Sequence, residues 1–157
     1  MKIATSGSRV LIETTARGVL AAAGHDLRIE AEVEGDADDE KCVARFVVAK
    51  MRVVEMRRHG TKTWGAPTSD ADDIERRIRE EAFPDVKEIV VEATRENITV
   101  RAARSQSVKT DASIAPNRIE GKCELSLSAL GVGKIRVPLG AIKLDDGVSV
   151  TYVIVLE

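Results

Sequence analysis

Few residues of this 157-residue chain have types that do chemistry. Its two histidines, His25 and His59, and its two cysteines, Cys42 and Cys123, are dispersed along the sequence. No spacing among them matches the close pairs of a closed zinc shell, so no metal site is expected. The most suggestive pair is His25 beside Asp26, because a carboxylate can orient an imidazole for proton transfer. Successive strand residues point to opposite faces, however, and no Ser or Cys is placed by spacing as a nucleophile for this histidine. A turn-stabilising role is expected for His25, with no catalytic residue and no cofactor. The acidic run at residues 35–40 lacks the alternating Asp/Asn ladder and downstream Glu of an EF-hand. It reads as a solvated hairpin.

Composition narrows the classes further. Lys and Arg number 24 against 26 Asp and Glu, a net charge of −2. No basic stripe stands out, so no nucleic-acid partner is expected. Hydrophobic residues make up 43% and charged residues 32%, an ordinary globular balance. The length suits a single domain, residues 1–157, with a real core. The opening Met1-Lys2-Ile3-Ala4-Thr5-Ser6-Gly7-Ser8 has no apolar stretch of a secretory signal. Nor does any segment approach the roughly 20 apolar residues of a membrane span. The sequence as written therefore reads as cytoplasmic, with both cysteines reduced and buried on strand faces.

Strand periodicity dominates the elements that must position these residues. In residues 119–129, Ile119, Gly121, Cys123, Leu125, Leu127 and Ala129 alternate with polar neighbours, which gives a strand one buried and one wet side. Leu27, Ile29, Ala31 and Val33 alternate as strictly with Arg28, Glu30, Glu32 and Glu34. Shorter runs place Val10 and Ile12, Phe46 and Val48, and Ile98 and Val100 on single faces. Val108, Ala112 and Ile114 share another, as do Val148, Val150, Tyr152 and Ile154. Polar turns separate the runs, so an antiparallel meander curling into a barrel or sandwich is expected.

One amphipathic helix is expected over residues 69–82. Ser69 and Asp72 fit a capping box, and Ala71, Ile74, Ile78 and Ala82 form a narrow apolar stripe. Acid-before-base pairs Asp72–Arg76, Asp73–Arg77 and Glu75–Arg79 support its wet face, and Phe83-Pro84 stops it. Such a helix would lie as a lid or plug against one edge of the strands. Residues 59–67, with Trp64, read as the loosest segment.

Three passages together resemble the YceI-like family. The first is Ser8-Arg9-Val10-Leu11-Ile12-Glu13 with Gly18-Val19-Leu20-Ala21-Ala22-Ala23-Gly24-His25-Asp26-Leu27, similar to that family's first strand and His-bearing turn. The second is Ala82-Phe83-Pro84-Asp85-Val86, similar to its step from helix through proline to strand. The third is Ala129-Leu130-Gly131-Val132 with Val137-Pro138-Leu139-Gly140-Ala141-Ile142-Lys143-Leu144-Asp145-Asp146-Gly147-Val148, similar to its closing section. The resemblance implies an eight-stranded, antiparallel, lipocalin-like barrel whose elongated apolar interior holds an isoprenoid or similar lipid. The Arg-rich residues 98–107 and an aromatic content of only 3% depart from that pattern.

Leu27, Ile29, Ala31, Phe46, Ile98, Val100, Leu125, Leu127, Val150 and Tyr152 are the residues expected to face the interior and hold an apolar ligand. Ala31, Gly121 and Ala129 are small enough to leave room there. A polar end of the ligand would meet Tyr152, His25 or Trp64. The leading expectation is a non-enzymatic carrier of a lipid- or isoprenoid-like molecule. The alternative is an interaction module with a filled barrel, which would self-associate as a homodimer or bind a partner through outward Val47, Val54 and Val153.

Overall fold

The structure, a computed structural model, describes residues 1–17, 25–132 and 143–157. Residues 18–24 and 133–142, which carry parts of the first and third resembling passages, lie outside the described residues. The chain is mostly β. Its strands are β1 (Arg9–Thr14), β2 (Ala16–Arg17), β3 (His25–Ala31), β4 (Glu34–Ala37), β5 (Cys42–Val47) and β6 (Arg52–Arg58). After the helix α1 (Ala71–Arg77) come β7 (Glu88–Ala93), β8 (Asn97–Arg101), β9 (Ser105–Lys109), β10 (Asp111–Ala115), β11 (Arg118–Ser126), β12 (Lys143–Leu144) and β13 (Gly147–Val155).

These strands make two antiparallel sheets, ordered β10-β11-β13-β1-β3-β6 and β4-β5-β7-β8-β9, and a small ribbon of β12 with β2. Short stretches of chain join the two sheets. Glu32 and Val33 lie between β3 and β4, a 3-10 turn at Val48–Lys50 precedes β6, and Thr110 alone separates β9 from β10. The first residues stitch the sheets together a further time. Ile3 donates its amide to the Gly35 carbonyl in β4 at 2.9 Å and bridges to Leu156 beyond β13.

Alternation accounts for what is buried. Val10 on β1, Leu27, Ile29 and Ala31 on β3, Phe46 on β5, Ile98 and Val100 on β8 and Val150 on β13 all face the core. Full burial of each large aliphatic side chain contributes roughly 1.5–3 kcal/mol. The opposite faces carry cross-strand ion pairs. Arg28 reaches both Glu13 and Glu55 at 3.3 Å, from residues directly opposite it on β1 and β6. Arg9–Glu30, Arg45–Glu88 and Arg101–Glu92 are more exposed, and such pairs contribute little each.

Four expectations need correction. The strand expected over residues 119–129 stops at Ser126, because the chain turns there: Leu130 donates to the Ser126 carbonyl and Val132 to that of Leu127. The turn changes the phase, so Ala129 is exposed and Leu130 is buried. The run at residues 108–114 is divided at Thr110, with Val108 in one sheet and Ala112 and Ile114 in the other. Gly121 leaves no spare room. A Cβ there would lie 2.3 Å from the Tyr152 hydroxyl and 2.7 Å from the Asp111 carbonyl, so the missing side chain is the space that Tyr152 fills.

The helix is the fourth. It begins with Asp70 as N-cap and has no side-chain capping bond, so Ser69 and Asp72 do not form a capping box. Of the expected pairs only Asp73–Arg77 forms, at 2.8 Å. Asp73 also takes Arg76, whose other contact is Glu80. Glu75 is diverted to the sheet, where it accepts the Val53 amide at 2.9 Å. Past Arg77 the chain widens into a π turn, Ile78–Ala82, closed by the Phe83 amide on the Ile78 carbonyl before Pro84. The apolar stripe holds, with Ile74 half-buried and Ile78 and Ala82 buried. The helix covers the free edge of β6, as does the loop after that strand. There Met56 and Gly65 exchange backbone hydrogen bonds of 3.1 and 2.9 Å, so the segment read as loosest is tied down.

Candidate functional site

The interior is not filled by side chains. A cavity of about 570 Å³ lies inside, within the size range of small-molecule sites. Both sheets and the helical segment line it. Its walls are largely apolar because each contributing strand turns its alternating apolar face inward. Nine of the ten expected interior residues are on this wall: Ile29, Ala31, Phe46, Ile98, Val100, Leu125, Leu127, Val150 and Tyr152. Leu27 is the exception, buried in the core but not on the cavity wall. Val10, Ile12, Ile89 and Cys123 also line it, along with Ile78 and Phe83 from the helical segment. The 3.6-residue stripe on the helix was visible in sequence; which surface it would cover was not.

Polar atoms on the wall are few and unevenly placed. At one end, the β4–β5 turn brings Asp38, Asp39, Glu40 and Lys41 to the rim, and the β7–β8 turn brings Thr94 and Arg95. Asp38 organises its turn by accepting the Glu40 and Lys41 amides at 2.8 and 2.9 Å, and these bonds hold its carboxyl below the usual range. Met1 and Ile114 line this same cavity yet are exposed, by 58% and 51%. Tyr152 lies over Gly121 with its hydroxyl bonded to that of Thr110, and burial pushes its phenol up from the ordinary range. Thr14, at the far end of β1, is buried, and its hydroxyl has no hydrogen-bond partner among the described residues.

The two cysteines are free, buried and on the cavity wall. Burial pushes the Cys123 thiol up to about 11 and raises that of Cys42, which the Asp36 charge raises further. At pH 7.5 the thiolate of Cys123 should be roughly two orders of magnitude scarcer than that of a free cysteine. Iodoacetamide should therefore leave both thiols unlabelled in the folded protein and label both in urea, as read by intact mass. Rapid stoichiometric labelling without urea would show that these strand faces do not point inward.

A second cluster lies off the cavity. Asp26 is 1% exposed, and its partner is not His25. Its Oδ1 accepts the Ala16 amide at 2.9 Å and His59 Nδ1 at 3.0 Å, and its Oδ2 accepts Arg57 Nε at 2.9 Å. Burial alone would raise the carboxyl, but these hydrogen bonds outweigh it and hold Asp26 below its usual value. An ionised carboxylate can only accept, so His59 Nδ1 is the donor in this bond. The Trp64 ring lies against two guanidinium groups, with Arg28 and Arg57 at 4.1 and 4.3 Å from its centre. The arrangement anchors the loop after β6. It also presents His59 half-buried, and no described hydroxyl or thiol is hydrogen-bonded to its other nitrogen. His25 is half-buried at the start of β3 and, like Trp64, lines no part of the cavity, so neither can meet a ligand's polar end there.

The outward valines do not form one patch. Val47 is exposed on the five-stranded sheet, while Val54 and Val153 lie on β6 and β13, separated by β1 and β3. Among the described residues no group of three His, Cys, Asp or Glu is placed to hold a metal ion. No described helix is long and apolar enough to cross a membrane.

No model of a known protein family matches the chain, and no curated protein matches it. Among solved structures, the chain resembles BcnA of Burkholderia cenocepacia, with a TM-score of 0.60 and 12% sequence identity over 99% of both chains. At that identity the likeness is one of fold, and it extends over the whole of each chain.

Proposed function

We propose that this chain is a non-enzymatic binding protein that carries or sequesters a lipid- or isoprenoid-like molecule in its apolar cavity. The observation that carries this reading is the cavity itself. An interior built only for stability would close to near-crystalline packing, since each unfilled void forfeits contacts. The ligand's transfer out of water would supply the affinity at about 25 cal/mol per Å² of apolar surface. The likeness to BcnA supports a YceI-like fold. The pairings support a lipocalin-like barrel. With β3–β4, β5–β6 and β9–β10 each counted as one bent strand, the two sheets contain eight strands, each with two partners.

The test is to extract purified protein with organic solvent and identify any co-purifying apolar molecule by mass spectrometry, alongside Ala31→Phe. Ala31 is buried on the cavity wall opposite Val10. A phenyl ring there should occupy ligand space and abolish retention, while the melting temperature stays within a few degrees of wild type. A densely packed interior would instead resist the ring by roughly 1–3 kcal/mol. A large fall in melting temperature, with nothing extracted from the wild type, would reject the carrier reading.

A further inference from the structure

We propose that the cavity takes an uncharged amphiphile oriented head-inward, its single hydroxyl or carbonyl bonded to Thr14 and its tail pointing to the rim at Met1 and Ile114. This rests on the binding function proposed above and specifies the chemistry of its ligand. The first support is Thr14 itself. Val10, Ile12 and Thr14 face inward in turn along β1, and all three line the cavity. The first two are apolar, whereas Thr14 is 5% exposed with its Oγ1 unpartnered among the described residues. A buried hydroxyl without a partner is costly, and valine would fill the same shape without that cost. A ligand oxygen beside it would satisfy the group.

The distribution of charge supplies the second support. Among the described residues, the cationic side chains on the cavity wall are Lys41 and Arg95, and both stand at the opposite end, in the turns that carry Asp38, Asp39 and Glu40. A carboxylate or phosphate placed beside Thr14 would be desolvated with no counter-charge among the described residues, which disfavours an acidic head. The exposed apolar side chains are the third. Met1 and Ile114 belong to the cavity wall yet stand open to solvent, where an emerging hydrocarbon tail would cover them. Thr14 is about 13 Å along β1 from Val10, so head and rim are separated by most of the strand's length.

The experiment measures displacement of 1-aminoanthracene from the full chain by 1-decanol, decane and decanoate, for wild type, Thr14→Val and Thr14→Ser. The wild type should prefer decanol to both others. Thr14→Val should lower the decanol-to-decane affinity ratio about five- to twenty-fold, Thr14→Ser should retain it, and the melting temperature of ligand-free Thr14→Val should be unchanged or higher. An unchanged ratio in Thr14→Val, or tighter binding of decanoate than decanol, would overturn the head-inward proposal while leaving apolar binding intact. A marked loss of stability in Thr14→Val would overturn it too, since the hydroxyl would then serve the fold. Failure of all three probes to bind the wild type would reject the binding function as well.

Discussion

Gly35→Ala is expected to destabilise the protein by about 3–5 kcal/mol, enough to unfold many domains of this size. Gly35 has φ 155°, in the positive region that side-chain-bearing residues rarely enter. An alanine Cβ would stand 1.9 Å from the Val43 carbonyl oxygen and 3.0 Å from the Ala44 Cα. Both atoms belong to the backbone of the paired strand β5, so no rotamer change relieves the overlap, and β4 must separate from β5. The damage spreads, because the Gly35 carbonyl accepts the Ile3 amide that ties the N-terminal residues between the two sheets. Urea unfolding gives the measurement. Gly60→Ala is the control: it also has positive φ, 88°, but a Cβ there would meet nothing within 4 Å. If the two variants are equally mild, the strand register around Gly35 is wrong.

Asp26→Ala should cost about 2–4 kcal/mol, because it leaves a buried amide and a half-buried guanidinium without their acceptor. Ala16, Arg57 and His59 lie on separate segments, and the one carboxylate joins them. The pH dependence follows from the direction of its shift. The folded carboxyl lies below the ordinary 3.8, so its contribution is complete above that value and is lost as pH falls through the depressed one. Asp26→Asn keeps the shape but not the charge. It should be less stable than wild type at pH 7 and should show a smaller further loss between pH 4 and 2. Parallel stability curves for wild type and Asp26→Asn across that acid range would mean that the carboxylate does not carry the linkage. Loss of the anchor should also free Trp64 from Arg28 and Arg57, which its fluorescence would report.

Alternation was legible wherever strands are regular. The run from Leu27 through Val33 is buried at every second residue, as its sequence spacing predicts. Strand β6 was not legible, and the reason is local. Arg28 pairs with Glu55 and Ile29 with Val53, so Val54 is the extra residue of a bulge. That insertion puts Val53 and Met56, three positions apart, on the buried face and breaks the period of two. The Asp26 cluster was hidden for a different reason. Its partners come from 10 to 33 residues away, and nothing in the spacing of Ala16, Arg57 and His59 marks them as neighbours.

What the sequence determined by itself was the content of each regular surface: which strand faces are apolar, and where the helical segment bears its stripe. These follow from backbone periodicity, a property of a few consecutive residues. Tertiary structure decided where those faces meet. It diverted Glu75 from its own helix to the Val53 amide and spent the space at Gly121 on Tyr152. It also left about 570 Å³ open between faces that periodicity alone would equally allow to close. Whether two apolar faces touch or stand apart depends on strand number, bend and pairing across the whole chain. The cavity is therefore a property of the assembled sheets, and Thr14 becomes its buried polar point only after they assemble.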